Sequence, residues 1–135
     1  MKLFEVKSDY ALNKPYGKVR AQWNSEIFEE EDEGYLSDEY DHSKVLELQY
    51  IGAADGRGAE LMDEFLDSPI AKSAELIFLD PNPNLGKFSD TRLSQVEQFD
   101  KLYRFYKKFG FESRYIGSRM WKVQKGSIEK KDLPT

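Results

Sequence analysis

Residues 18 to 24 (KVRAQWN) alternate, with Val19, Ala21 and Trp23 apolar and Lys18, Arg20 and Gln22 polar. A period of two predicts a strand with one buried face. Lys44 to Ile51 (KVLELQYI) alternates more strongly, with Leu46, Leu48 and Tyr50 sharing one face and Val45, Glu47 and Gln49 the other. Leu3 to Lys7 alternates weakly and predicts a short strand, and Tyr35-Leu36 another. The period then changes. Arg57 to Asp67 sets Ala59, Met62, Phe65 and Leu66 at helical spacing, widened by Leu61. An apolar stripe of that kind belongs to a helix laid on a core. Ser68-Pro69 stops that helix and can open a short second one. Glu75 to Leu79 carries the unbroken run Leu-Ile-Phe-Leu, expected of a strand covered on both faces.

Ser94-Gln95-Val96-Glu97 has the form of a capping box. The helix it opens runs to Phe109 and is expected to bury Val96, Phe99, Leu102, Tyr103 and Tyr106, with Gly110 as a left-handed cap. Phe111 to Ile116 and Arg119 to Gln124 read as two strands joined by Gly117-Ser118. Two segments read as loops: Tyr10 to Gly17, with Asn-Lys-Pro-Tyr-Gly, and Asp80 to Leu93, whose length is often functional. The order is strands first, then strand, helix, strand, helix, strand, strand. That predicts an α/β (α+β) fold, a mixed sheet with helices packed on it. At 135 residues the chain is expected to form one domain over residues 1–125, with a flexible tail over 126–135.

Composition narrows the chemistry. No Cys means no disulfide, thiolate nucleophile or Cys-based zinc site, and the single His, His42, leaves no His-rich metal site; it reads as a surface residue. No metal is expected. The N-terminal residues lack the apolar run of a signal peptide and no stretch matches a membrane span, so a soluble, cytoplasmic protein is expected. The net charge of -5 is unevenly spread. Glu26 to Asp41 holds nine acidic residues and no Lys or Arg, whereas Lys101 to Lys131 holds ten basic residues and two acidic ones. The basic end suits a phosphorylated cofactor and the acidic stretch a cationic partner, or both are solvated surfaces. The negative total and the lack of a basic-aromatic motif argue against nucleic acid.

Two features carry candidate chemistry. The turn Gly52-Ala53-Ala54-Asp55-Gly56-Arg57-Gly58-Ala59 joins a strand to a helix. Small residues there let backbone N–H groups at a helix start approach an anion, though a tight turn needing glycine reads the same way. Arg57 either adds charge to a phosphate or is solvated. Tyr106 lies one turn before the helix end, in Phe105-Tyr106-Lys107-Lys108-Phe109-Gly110-Phe111, and by position alone is a core residue with a satisfied hydroxyl. Arg104, Lys107 and Lys108 near that end fit the helix dipole.

Together these pieces resemble the GNAT superfamily of acyl-CoA N-acetyltransferases, over roughly Lys44 to Gln124. Members have a Gln/Arg-x-x-Gly-x-Gly/Ala turn between strand and helix, and a later helix ending Leu-Tyr-x-x-x-Gly-Phe. This sequence supplies Gly56-Arg57-Gly58 and Phe105 to Phe111. It departs at Ala53, where the family has Gln or Arg, and at Phe99 and Leu102, where Asn and Ala are frequent.

The resemblance implies a mostly antiparallel GNAT-like sheet and a compact, divergent member. It implies acetyl-CoA as co-substrate, lying where the 44–51 strand splays from the 75–79 strand. The backbone of Leu48 and Tyr50 would meet the pantetheine arm, and Ala53, Ala54, Asp55, Gly56, Arg57, Gly58 and Ala59 the pyrophosphate. Asn82 would touch the cofactor or form a turn. An amine, a small cationic amine or a protein lysine or N-terminus, would attack the thioester directly. Tyr106 would protonate the leaving thiolate, and Glu47 would serve as base or stand as a surface carboxylate facing a Lys or Arg. A monomer or homodimer is expected. The alternative is an inactive protein of the same fold, engaging a basic protein through its acidic face.

Overall fold

The computed structural model describes residues 9–24, 40–54, 56–82 and 94–133. The expected strands at Leu3 to Lys7 and Tyr35-Leu36, the acidic stretch up to residue 39, Asp55 and most of the 80–93 loop lie outside these residues. Among these residues five strands form one sheet in chain order: β1 (Asp9–Lys14), β2 (Gly17–Trp23), β3 (Val45–Ala53), β4 (Leu76–Leu79) and β5 (Met120–Val123). All neighbouring pairs are antiparallel except β3–β4, which is parallel. Three α-helices accompany them among the described residues: α1 (Gly58–Leu66), α2 (Pro69–Ser73) and α3 (Gln95–Lys107). The mixed, mostly antiparallel α/β sheet with helices is therefore the observed architecture.

Alternation sorts the side chains onto two faces. Val19, Ala21, Leu46, Leu48, Ile77, Leu79 and Met120 enter one core, with Leu61, Met62 and Phe65 of α1 and Tyr106 of α3. Val45, Leu76, Phe78 and Trp121 enter a second core on the opposite face, closed by Tyr40 and Leu133. The unbroken apolar run of β4 follows directly, because both its faces are covered.

Four expectations change. Tyr10 to Lys14 is not a loop but β1, and Pro15-Tyr16 is a two-residue hairpin turn between Lys14 and Gly17. Its alternation is shallow, since the inward residues Tyr10 and Leu12 are only half-buried. Second, Tyr50 does not share a face with Leu46 and Leu48. The β2–β3 register slips at Arg20/Ala21, pairing Arg20 with Tyr50 but Ala21 with Leu48, so Gln49 is an extra residue. Such a bulge inverts the phase beyond it, and Ile51 takes the core position instead. Third, Phe111 to Ile116 is not a strand; only Glu112 bridges to Trp121. Ser113 and Ser118 hydroxyls both donate to the Tyr115 carbonyl, at 2.8 and 2.7 Å, and fold the chain into a turn. Fourth, Val96 is 78% exposed, so the first turn of α3 stands off the core. In the described part of the last segment, Leu133 is 2% exposed.

The ends of α3 follow the sequence. Ser94 Oγ accepts from the Glu97 amide at 3.2 Å and Glu97 Oε1 accepts from the Ser94 amide at 3.1 Å. The Ser94 amide and hydroxyl hold the Glu97 carboxyl below its usual range. Gly110 takes φ +95°, and the Gly110 and Phe111 amides donate to the Lys107 and Tyr106 carbonyls at 3.1 and 3.2 Å, a Schellman closure. Lys122 Nζ adds a hydrogen bond to the Phe109 carbonyl at 2.9 Å. Because a left-handed conformation costs a residue with Cβ about 1–2 kcal/mol, Gly110→Ala is expected to lower unfolding free energy by that amount in urea titration. An unchanged midpoint would show that the closure is not strained.

Candidate functional site

The nine residues of β3 and the four of β4 cannot match along their length. Their ladder covers Val45↔Leu76, Leu46↔Ile77 and Glu47↔Phe78 and then ends. On its other edge β3 stays paired with β2 as far as Ala53, opposite Gly17. Leu48 to Ala53 therefore has no partner in β4 among the described residues. The two strands part there, next to the bulge at Gln49, leaving an edge of β3 that an extended ligand can line by main-chain hydrogen bonds.

The glycine turn follows. Ala53 is half-buried at the end of β3, Ala54 and Gly56 are exposed, and Arg57 is the N-cap of α1. No side chain of that N-cap closes the helix, so the first N–H groups of α1 look for another partner. Gly58 and Ala59 form its first turn, with Ala59 exposed. Both glycines also have structural reasons to be glycine. Gly56 takes φ +79°, and a Cβ at Gly58 would lie 3.2 Å from Cζ of Phe105 on α3. The turn is docked on the first hairpin, since the Ala54 amide donates to the Tyr16 carbonyl at 2.8 Å. Arg57 lies with Cζ 3.7 Å from the centroid of the Tyr16 ring. Its Nε and Nη2 donate to Glu60 at 2.9 and 3.0 Å. Sequence reading missed Tyr16 and Glu60; the three-residue spacing of Arg57 and Glu60 on a helix was the available signal.

Tyr106 and Glu47 are on opposite faces of the sheet. Tyr106 is 5% exposed in the helix-side core, edge-on to Phe105 and Phe111 with ring centroids 5.3 and 6.0 Å away. Burial pushes its hydroxyl pKa upward, so the phenol stays protonated at neutral pH. Glu47 follows Val45 in alternation and faces the second side, in the last rung of the β3–β4 ladder. Its carboxylate meets no Lys or Arg in a described ion pair; Oε1 instead accepts from Asn24 Nδ2 at 3.1 Å. Gln49, on the same side, donates to Gln22 at 3.1 Å. Asn82 is exposed just past β4. Asp55 lies outside the described residues.

A separate polar cluster gathers where α3 ends. The Tyr103 hydroxyl donates to Glu112 Oε1 at 2.6 Å, with Lys107 and Lys130 Nζ 3.7 and 3.9 Å from the same carboxylate. Burial alone would raise the Glu112 pKa; the Tyr103 hydroxyl, the Ser113 amide and the two lysines outweigh it and hold the carboxyl below its usual range. Arg104 pairs with Asp100 at 2.9 Å and Arg119 with Asp80 at 2.8 Å, so much of the basic end is matched internally. Among the described residues no group of three His, Cys, Asp or Glu is placed to hold a metal ion, and no helix is long and apolar enough to cross a membrane.

No protein-family model and no curated protein matches the chain. Among solved structures it is similar to a protein of Staphylococcus aureus Mu50 provisionally described as an acetyltransferase. The likeness has 17% identity and a TM-score of 0.45, and covers 87% of this chain and 72% of that one.

The Glu112 cluster yields a pH test. A depressed folded-state pKa gives stability that is present above the unfolded value, about 4.3, and is lost as pH falls through the folded one. Tyr103→Phe removes one cause of that depression. It is expected to cost about 1 kcal/mol at neutral pH, with the difference from wild type narrowing as pH falls below the unfolded value and Glu112 protonates. A difference in thermal unfolding that stays constant with pH would contradict this.

Proposed function

We propose that the chain is an acyl-CoA-dependent N-acetyltransferase that passes an acetyl group to a primary amine by direct attack. The parting of β3 from β4 beyond Glu47↔Phe78 carries this reading. It opens beside a small-residue turn whose helix has no N-cap side-chain bond. The site fits a thioester on an extended arm with a pyrophosphate at one end. In this reading the main chain of Leu48 and Tyr50 meets the arm, and Ala53 to Ala59 the pyrophosphate, with Asn82 at the rim.

A gap between strands opens to both sides of a sheet, and that gives the opposed faces of Glu47 and Tyr106 a role. The amine approaches from the Glu47 side. An alkylammonium with a pKa near 10.4 must lose a proton before it attacks, and Glu47, oriented by Asn24, takes it directly or through water. The nitrogen bonds to the acyl carbon, the tetrahedral intermediate collapses, and the C–S bond breaks. Tyr106 offers its O–H to the departing thiolate from the helix side, and the second proton that the nitrogen sheds as the amide forms restores the phenol through water. No covalent enzyme intermediate is needed, which suits a chain without Cys. A small cationic amine or a protein lysine or N-terminus fits an acceptor side bearing a carboxylate.

The second reading, a binding protein that keeps the fold without the chemistry, draws on Ala53 and on the internal pairing of Arg57 with Glu60. The two readings separate by thiol release, which can be followed with a thiol-reactive dye without background from the protein. Against a panel of polyamines, amino sugars and peptides, wild type is expected to release CoA only with an acceptor present. Glu47→Gln and Tyr106→Phe are each expected to lower kcat by about 10²- to 10⁴-fold, the worth of a positioned proton-transfer group. Both should leave acetyl-CoA binding within a few-fold. No acetyl-CoA binding by folded wild type would favour the second reading, and full activity in both variants would remove their roles.

A further inference from the structure

Arg57 is the one cation in the described part of the turn, and the free protein already uses it. Its Nε/Nη2 edge is engaged by both oxygens of Glu60, and that edge is a matching surface for a phosphate. Its flat face is stacked on Tyr16, whose main chain is tied to Ala54. The guanidinium is thus held beside the first turn of α1. Glu60 sits in that same first turn, where a carboxylate is favoured by the helix dipole that would also favour an incoming anion.

We propose that Glu60 is an internal competitor for the cofactor phosphates. It occupies Arg57 and the positive end of α1 in the free protein, and binding exchanges its carboxylate for the pyrophosphate. This rests on the acyl-CoA reading and deepens it. Arg57 becomes the side chain that contacts the pyrophosphate in place of the Gln or Arg missing at Ala53, and Glu60 sets how tightly. The side chains of Arg57 and Glu60 are 43% and 54% exposed, so the exchange needs rotamer changes and no movement of the main chain. Tyr16 keeps the guanidinium in position when the carboxylate leaves.

The test is calorimetric titration of coenzyme A at low ionic strength. It compares wild type with Glu60→Gln, Arg57→Met, the double variant and Glu64→Gln. Glu60→Gln is expected to tighten binding about three- to fivefold, the strength of an exposed ion pair. Arg57→Met should weaken binding, and adding Glu60→Gln to it should recover little, because the gain acts through Arg57. Glu64→Gln removes the same charge from the same helix, where the carboxylate faces Lys14 at 3.9 Å, and should change affinity less. Binding by wild type that is equal or weaker in Glu60→Gln overturns the competition alone. So does an equal gain in Glu64→Gln, which would make the effect one of net charge. Binding by none of the proteins overturns this inference together with the acyl-CoA reading.

Discussion

The parallel ladder between β3 and β4 is three residue pairs long, and the candidate site depends on that shortness. β4 is held in place from both sides, by β3 along one edge and by all four of its pairs with β5 along the other. Its side chains fill both cores. β3 is anchored by β2 from Leu46 to Ala53 on either side of the bulge. Once both strands are fixed elsewhere, nothing obliges them to stay together after Glu47↔Phe78. The bulge at Gln49 adds twist at that point, as an inserted residue does. The unpaired stretch of β3 is therefore a consequence of how the sheet is supported rather than a defect in it.

The same support puts Tyr106 and Glu47, the proposed proton-transfer groups, on two sides of one opening. α1 and α3 lie on a single face and enclose Tyr106 among apolar rings. The other face carries Phe78 and Trp121 inward and Gln22, Glu47 and Gln49 toward its polar end. Strict alternation decides this division, so moving Glu47 to the helix side would need a register change that also expels Leu46 and Leu48. Close packing of α3 against α1 at Gly58 and Phe105 sets where the turn sits. A glycine in that turn thus serves helix packing as well as any ligand. Gly58 is consequently a poor place to probe phosphate binding, because a large side chain there would disturb Phe105 first.

Most of this is legible in the chain. β2, β3, β4, the α-helices α1 to α3 and the caps at Ser94, Ser68 and Gly110 are readable from period and capping residues, because each is fixed by local physics. The rest depends on contacts remote in sequence. Pro15-Tyr16 reads as part of a longer loop until β2 supplies a partner for Tyr10 to Lys14. The bulge at Gln49 leaves no mark in an alternating sequence, so the period alone puts Tyr50 on the wrong face. Phe111 to Ile116 has strand-forming residues, but serine hydroxyls claim the Tyr115 carbonyl. At the site, the turn and Tyr106 stand out through their spacing. The stacking of Arg57 on Tyr16 joins residues forty-one apart, and no sequence pattern announces it.

Hydrogen–deuterium exchange with and without acetyl-CoA tests the central claim most directly, that the open edge of β3 and the turn after it form one ligand site. Slower exchange is expected for amides within Leu48 to Ala53 and Gly56 to Glu60 together, because the ligand would occupy both the strand edge and the helix start. Two outcomes would contradict the claim. One is no protection in either segment. The other is protection that falls instead on the groove between α3 and the Ile116-Gly117 turn, lined by Val96, Phe99 and Arg104.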